Sequence, residues 1–187
     1  MNCVDPFKDV EQIKAIKKYL REHSYRDLLL FVMGINTGLK ISEILSIKVS
    51  DVLGKGNKIK TSFLLSSEES TQREIHLNAT IRNTIIEYLG GAGLSFDDYI
   101  FLSPKTKKPI SRVQAHRIIH DAVSALGIQG SYGASSMRKT FGYQAYKKGI
   151  SISLIQKHYQ HSTPSETYKY LGIKKDEPVN TIIDVNL

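Results

Sequence analysis

A chain of 187 residues with 41% hydrophobic and 24% charged positions carries enough apolar material for a buried core, which excludes a disordered polymer. Its 26 Lys and Arg against 18 Asp and Glu leave a formal charge of +8, which favours a polyanionic partner, nucleic acid before anionic membrane, or else marks a merely basic globular protein. A single cysteine, Cys3, excludes an internal disulfide framework and any cysteine-based zinc cluster.

The N-terminal stretch "MNCVDPFKDVEQ" lacks the basic-then-apolar layout of a secretion signal. The longest apolar run, "LLLFVMGI" at 28–35, is too short to span a bilayer, so a cytoplasmic protein with no membrane partner is expected. The chain then opens with "DVEQIKAIKKYLREHS", where Val10, Ile13, Ile16 and Leu20 recur at helical spacing and Asp9 with Gln12 forms a capping pair. "YRDLLLFVMGINTG" is apolar on almost every side, as a central buried helix is, and Gly38 supplies its C-terminal cap. "KISEILSIKVSDV" reads as a short helix turning into extended chain.

From Lys58 to Leu77 the period changes to two. "KIKTSFLL" and "REIHL", joined by the polar "SSEESTQ", predict a β-hairpin with a longer loop. Asn78 caps a helix over "ATIRNTIIEYL", presenting Ile81, Ile85, Ile86 and Leu89, with Gly90-Gly91 as the stop. "YIFLS" at 99–103 is a short extended piece and "KTKKP" at 105–109 a basic loop. Helices follow at about 111–126, 136–148 and 151–159, then a last short one within "HSTPSETYKY". The tail ends in "TIIDVNL" at 181–187, an alternating, strand-like pattern. No internal repeat or low-complexity linker is present, and the fold class is mainly α with a small antiparallel β-sheet (α+β).

The last helix poses a choice between two tyrosines. Thr163 caps it, Pro164 suits its first position and Glu166 completes a capping box. Tyr168 and Tyr170 are then about 200° apart around an axis of ~3.6 residues per turn, so at most one can face a reactive site. An unaided phenol, with a pKa of about 10, is a poor nucleophile at neutral pH. Cations gathered round a phosphate would stabilise both its anion and a pentavalent transition state. Arg138 in "SSMRKTFG" could fork onto such a phosphate and His161 could donate to it, although a helical arginine is more commonly a surface ion.

Taken together, these stretches resemble the catalytic domain of the tyrosine recombinase (phage integrase) family, over roughly Asp9 to Ile173. "TGLKISEILSIKVSDV" is similar to the family's Thr-Gly-Leu-Arg-Ile-Ser-Glu-Leu box, and the hairpin with "KIKTSF" and "REIHLN" to the strand pair that carries its lysine. "SSMRKTFG" is similar to its His-x-x-Arg box and "HSTPSETYKYLGI" to its closing His–Tyr box, in which the nucleophile follows the histidine by nine residues. That spacing selects Tyr170 over Tyr168. The resemblance implies an integrase catalytic-domain fold over 1–175 with a tail at 176–187 that either packs in trans or folds back on its own domain. The family's usual N-terminal core-binding domain is not expected, because the match begins almost at Met1. It implies double-stranded DNA as partner and cleavage of one strand through a 3′-phosphotyrosyl link, with neither metal nor nucleotide cofactor. Tyr170 would be the nucleophile, Arg138 would clamp the phosphate, His161 would hydrogen-bond it, and Glu43 would orient the first-box cation. The protein would be of bacterial or phage origin and associated with the nucleoid.

Three positions depart from the family pattern. The first-box arginine is Lys40, which keeps the charge and loses the planar fork. The histidine of the His-x-x-Arg box is Ser135, which cannot carry a proton near pH 7. The hairpin loop has Glu68 and Glu69 and no lysine, so Lys58 or Lys60, both earlier in the strand, would have to protonate the leaving oxygen. Two readings remain: an impaired but active recombinase, or a DNA-binding, regulatory or partner subunit, acting as a homo-oligomer or beside a competent recombinase, in which the chemistry has decayed. Lys58, Lys60, Lys105, Lys107, Lys108 and Lys139 are the further candidates for DNA contact. His116 and His120, four apart with no third ligand, read as a half-exposed helix face, and Tyr143 and Tyr146 as packing behind Arg138.

Overall fold

Helix α2 (Tyr25–Thr37) is the axis of the fold because nearly every side it presents is apolar, and its residues from Leu28 to Met33 are all fully buried. The computed structural model describes residues 4–66 and 72–173. Around α2 pack α1 (Val10–His23), α5 (Ala79–Ala92) and α7 (Ala134–Lys147). Burying each such leucine or phenylalanine is worth about 1.5–3 kcal/mol, so this helix organises the main core. Asp9 caps α1 by accepting from the Glu11 N–H at 2.8 Å, and Gln12 makes no returning bond among the described residues.

After α2 the chain turns at Gly38 into α3 (Ile41–Leu45). The expected extended segment is instead one more helical turn, α4 (Val49–Val52), because Asp51 accepts the Lys48 N–H at 2.8 Å and caps it. A 3₁₀ turn (Lys55–Asn57) leads to the hairpin β1 (Ser62–Ser66) and β2 (Gln72–His76), paired antiparallel from Ser62 opposite His76 to Ser66 opposite Gln72. The first strand begins later than its sequence pattern predicts. Ile59 bridges to Leu53, and the Lys60 N–H is spent on the Val52 carbonyl.

Helix α5 runs past Gly90-Gly91 to a left-handed cap at Gly93 (φ 60°). Nothing lies near either helical glycine, so both sit on a solvent face where their cost of about 1 kcal/mol each is tolerated. Its buried face is Ile81, Thr84 and Ile85, whereas Ile86 is exposed. The 99–103 segment forms isolated bridges, Tyr99 to Lys48 and Leu102 to Pro109, while Ile100 and Phe101 enter the core. Helices α6 (Arg112–Ala125), α8 (Ile152–Tyr159) and α9 (Pro164–Leu171) complete the described chain. A second cluster of Tyr143, Tyr146, Ile155, Tyr159, Leu171 and Ile173 holds α8 and α9 against α7. Gly142 permits that contact, since a Cβ there would sit 2.5 Å from the Tyr159 hydroxyl and 2.7 Å from Leu171.

The mainly helical reading with one small antiparallel sheet is thus the observed fold class. Among the described residues, no helix is long and apolar enough to cross a membrane. The predicted loop acids Glu68 and Glu69 and the tail at 176–187, "TIIDVNL" included, lie outside the described residues.

Candidate active site

The closing turn of α2 sets the geometry. Gly38 has φ 64°, a conformation costly for any residue with a Cβ. A Cβ there would also meet the Phe141 ring at 2.4 Å and His158 Nε2 at 3.0 Å. With no side chain in the way, the Gly38 carbonyl accepts from Arg138 Nη1 at 2.5 Å. Arg138 Nη2 donates to the Tyr159 carbonyl at 3.3 Å, and its guanidinium lies 4.3 Å from the centroid of the Tyr159 ring. The arginine is therefore a buried, clamped cation and not the surface ion its helical position alone would suggest.

Tyr159 is the hub of the site. Its hydroxyl donates to the Arg138 carbonyl, and burial pushes its phenol well above the usual tyrosine range, which keeps that donor protonated. His161 meets the same ring at 5.3 Å between centroids and Tyr170 meets it at 5.5 Å, edge-on. His161 and Tyr170 are themselves 5.1 Å apart. One aromatic ring thus gathers Arg138, His161 and Tyr170 from α7, the α8–α9 turn and α9. Tyr168 takes the other side of α9, edge-on to Tyr146 at 5.9 Å, as the angle between the two tyrosines requires. Tyr143 and Tyr146 are buried, in keeping with their expected packing role.

The short helix α9 is held where it needs to be by its cap. Thr163 accepts the Glu166 N–H at 3.1 Å, and the Glu166 carboxylate accepts from Ser162, one residue earlier than the predicted box. The Thr167 hydroxyl donates to the Thr163 carbonyl at 3.3 Å and lies 3.0 Å from His161 Nδ1. With its own proton spent, that hydroxyl accepts from Nδ1–H, an assignment made by hydrogen-bond satisfaction. The free nitrogen of His161 is then Nε2.

The first box behaves differently from expectation. Lys40 is exposed, and its ammonium makes no hydrogen bond or ion pair among the described residues. Glu43 touches Lys40 only through the backbone, accepting its N–H at 2.6 Å. The cation it pairs with is Arg73 of β2, whose Nη2 reaches Glu43 Oε1 at 2.5 Å. Sequence reasoning passed over Arg73. The signal for it was present: it alternates with Ile75 on the face of β2 turned to the core, where a charge is out of place.

The lysines scatter. Lys60 donates to the Ser50 carbonyl at 2.8 Å and Lys58 is exposed beside it. Leu65 pairs with Arg73, so Ser62 is about 10 Å back along β1 at ~3.4 Å per residue, and Lys60 precedes even that. Neither Lys58 nor Lys60 is brought to the Arg138 cluster. Lys105, Lys107 and Lys108 are exposed on a tight turn closed by the Ser103 N–H on the Lys108 carbonyl. Lys139, expected at the surface, is buried, with Nζ 5.0 Å from the centroid of the Tyr170 ring. Ser135 is exposed in the first turn of α7, and His116 and His120 stand on the exposed face of α6 with ring centroids 6.4 Å apart. Among the described residues, no group of three His, Cys, Asp or Glu is placed to hold a metal ion.

His158, given no role from sequence, ties α8 to α2 by donating from Nε2 to the Thr37 carbonyl at 2.8 Å. Burial lowers the pKa of His158, opposed by that hydrogen bond and assisted by Arg138 and Arg73. Burial likewise lowers that of His161, against the raising effect of Glu166. A histidine whose folded pKa is depressed contributes its full stability above the ordinary value of about 6.5 and loses it as pH falls towards the folded value, because the unfolded chain takes the proton first. Urea midpoints should therefore fall between pH 7 and pH 5, and His158→Gln, which keeps a donor to Thr37 without a titrating ring, should flatten that slope. Equal slopes for the two proteins would refute the assignment to His158.

A family description, "Phage integrase family", matches residues 6–177 of the chain. Over 176 residues the chain is 38% identical to the "Probable integrase/recombinase YoeC" of Bacillus subtilis (strain 168), covering 94% of this chain and 93% of that protein. Its fold is similar to the crystal structure of XerA recombinase, with a TM-score of 0.75 at 19% identity over 93% of this chain and 61% of that one. It is also similar to XerH site-specific recombinase bound to palindromic difH substrate in a post-cleavage complex, with a TM-score of 0.71 at 17% identity over 91% of this chain and 50% of that one. The chain spans about half the length of several curated tyrosine recombinases that it also matches.

Proposed function

The chain belongs to the phage integrase family, and from that premise we propose that it binds double-stranded DNA and cuts and rejoins one strand through Tyr170. The observation that carries this reading is the convergence of Arg138, His161 and Tyr170 on the single ring of Tyr159. In the proposed step the Tyr170 oxygen attacks phosphorus, a 3′-phosphotyrosyl bond forms, and the bond to the 5′-oxygen breaks. Neutral His161, with Nε2 free, takes the phenolic proton, a task Ser135 cannot perform. Arg138 and the exposed Lys40 face the developing charge as cations, and the departing 5′-oxygen takes its proton from solvent. The formal charge of +8 supports long-range attraction to DNA, with affinity that falls as salt rises. The protein would act as an oligomer on DNA or beside a competent recombinase, in the cytoplasm at the nucleoid.

The test is a nicked suicide duplex from flanking genomic DNA. The wild-type protein should form a protease-sensitive covalent adduct on a denaturing gel, with the added mass on the peptide containing Tyr170. DNA binding without adduct under any condition would favour the second reading, a decayed DNA-binding or partner module, for which the presence of Lys40 and Ser135 speaks. Lys40→Arg with Ser135→His should raise the adduct rate by about 10²-fold or more, since a single transition-state donor is typically worth about 10²–10³. An unchanged rate would show that these two positions do not limit cleavage.

A further inference from the structure

We propose that Arg73 supplies the planar guanidinium that Lys40 lacks, so that the scissile phosphate is held by a fork from β2 beside the fork of Arg138. The proposal rests on the strand-transfer reading for its substrate and on the structure for its geometry. Arg73 Nη1 lies 3.4 Å from the His158 carbonyl, and Arg138 Nη2 lies 3.3 Å from the carbonyl of the next residue, Tyr159. Consecutive Cα atoms are about 3.8 Å apart, so the two guanidiniums hang side by side from the closing turn of α8. Glu43 joins the pair to the first box, with one carboxylate oxygen on Arg73 and the other on the Lys40 N–H. The family-pattern position at 40 and the β2 arginine thus share one carboxylate.

Two features mark Arg73 as more than a strut. Its Nε is buried with no hydrogen-bond partner among the described residues, a costly state for a charged donor, while 21% of the side chain as a whole remains exposed to a ligand. Arg73 and Arg138 also act together on His158, both lowering its pKa, so two guanidiniums bear on one ring with the Glu43 carboxylate opposing them. A phosphodiester has two non-bridging oxygens, one for each fork, and paired N–H donors in a plane fit that geometry where a lysine offers a point charge.

The adduct assay separates this role from a purely structural one. Arg73→Lys should lower the adduct rate by about 10–10²-fold. Lys40→Arg should then restore most of the loss in the Arg73→Lys background, while in the wild-type background it adds little. If Lys40→Arg instead changes the rate by the same factor in both backgrounds, Arg73 only braces Glu43 and the proposal is overturned. A second measurement does not depend on cleavage. Inorganic phosphate is titrated into the ¹⁵N-labelled protein while the Nε–H resonances of Arg73 and Arg138 are followed. Both should move along one isotherm, weakened about tenfold by Arg73→Lys. Movement of Arg138 alone overturns the proposal. Joint movement without any adduct in any background leaves Arg73 as an anion ligand and removes only the strand-transfer reading.

Discussion

Replacing Tyr170 by phenylalanine should abolish the covalent DNA adduct, a loss of about 10⁴-fold or more, because the nucleophilic oxygen has no substitute. The ring would stay where it is. Its contacts with His161 at 5.1 Å, Tyr159 at 5.5 Å and the Lys139 ammonium at 5.0 Å involve the aromatic face and edges. The fold and DNA binding should therefore be retained, which separates loss of chemistry from loss of fold. Tyr168→Phe is the control. Tyr168 packs edge-on against Tyr146 at the back of α9, and the adduct should survive its replacement. An adduct that persists in Tyr170→Phe and disappears in Tyr168→Phe would overturn the assignment of the nucleophile.

Arg138→Ala is expected to combine two losses. Removing the fork from the phosphate should slow adduct formation by about 10²–10³-fold. Removing it from the fold leaves the Gly38 and Tyr159 carbonyls without their donor and strips the cation from the Tyr159 ring. Each buried polar group left unpaired costs about 1–3 kcal/mol, so the urea midpoint should fall clearly as well. Arg138→Lys separates the two effects: it keeps the charge, but one ammonium cannot reproduce the planar fork across both carbonyls and a phosphate oxygen. Its adduct rate should stay well below that of the wild type. A rate within about threefold of the wild type would mean that charge alone is needed at this position.

These two residues and His161 could be named from sequence because the family boxes they resemble are short motifs, while the local pattern fixed only the helices around them. The cap at Thr163 and Pro164 starts α9, and the turn of the helix then separates Tyr168 from Tyr170 by simple geometry. Periodicity likewise marked α2 as buried, and Asn78 marked the start of α5. Boundaries erred where a side chain or a tertiary contact overrode the local pattern: Asp51 turned an expected extended segment into α4, and the solvent face of α5 allowed the helix to pass through two glycines.

What the sequence determined by itself is most of the elements, the fold class and the placing of Tyr168 and Tyr170 on opposite sides of α9, all of which depend on neighbours within a few residues. The tertiary structure alone decided which cations meet. Arg73 reaches Glu43 across 30 residues and His158 across 85. Lys60 is drawn away to the Ser50 carbonyl, and Lys139 is buried under Tyr170 where a surface contact was expected. The reason is physical: a strand's alternation says that Arg73 faces inward, but its partners are fixed only when the tertiary fold brings Glu43 and the His158 carbonyl within reach of its guanidinium.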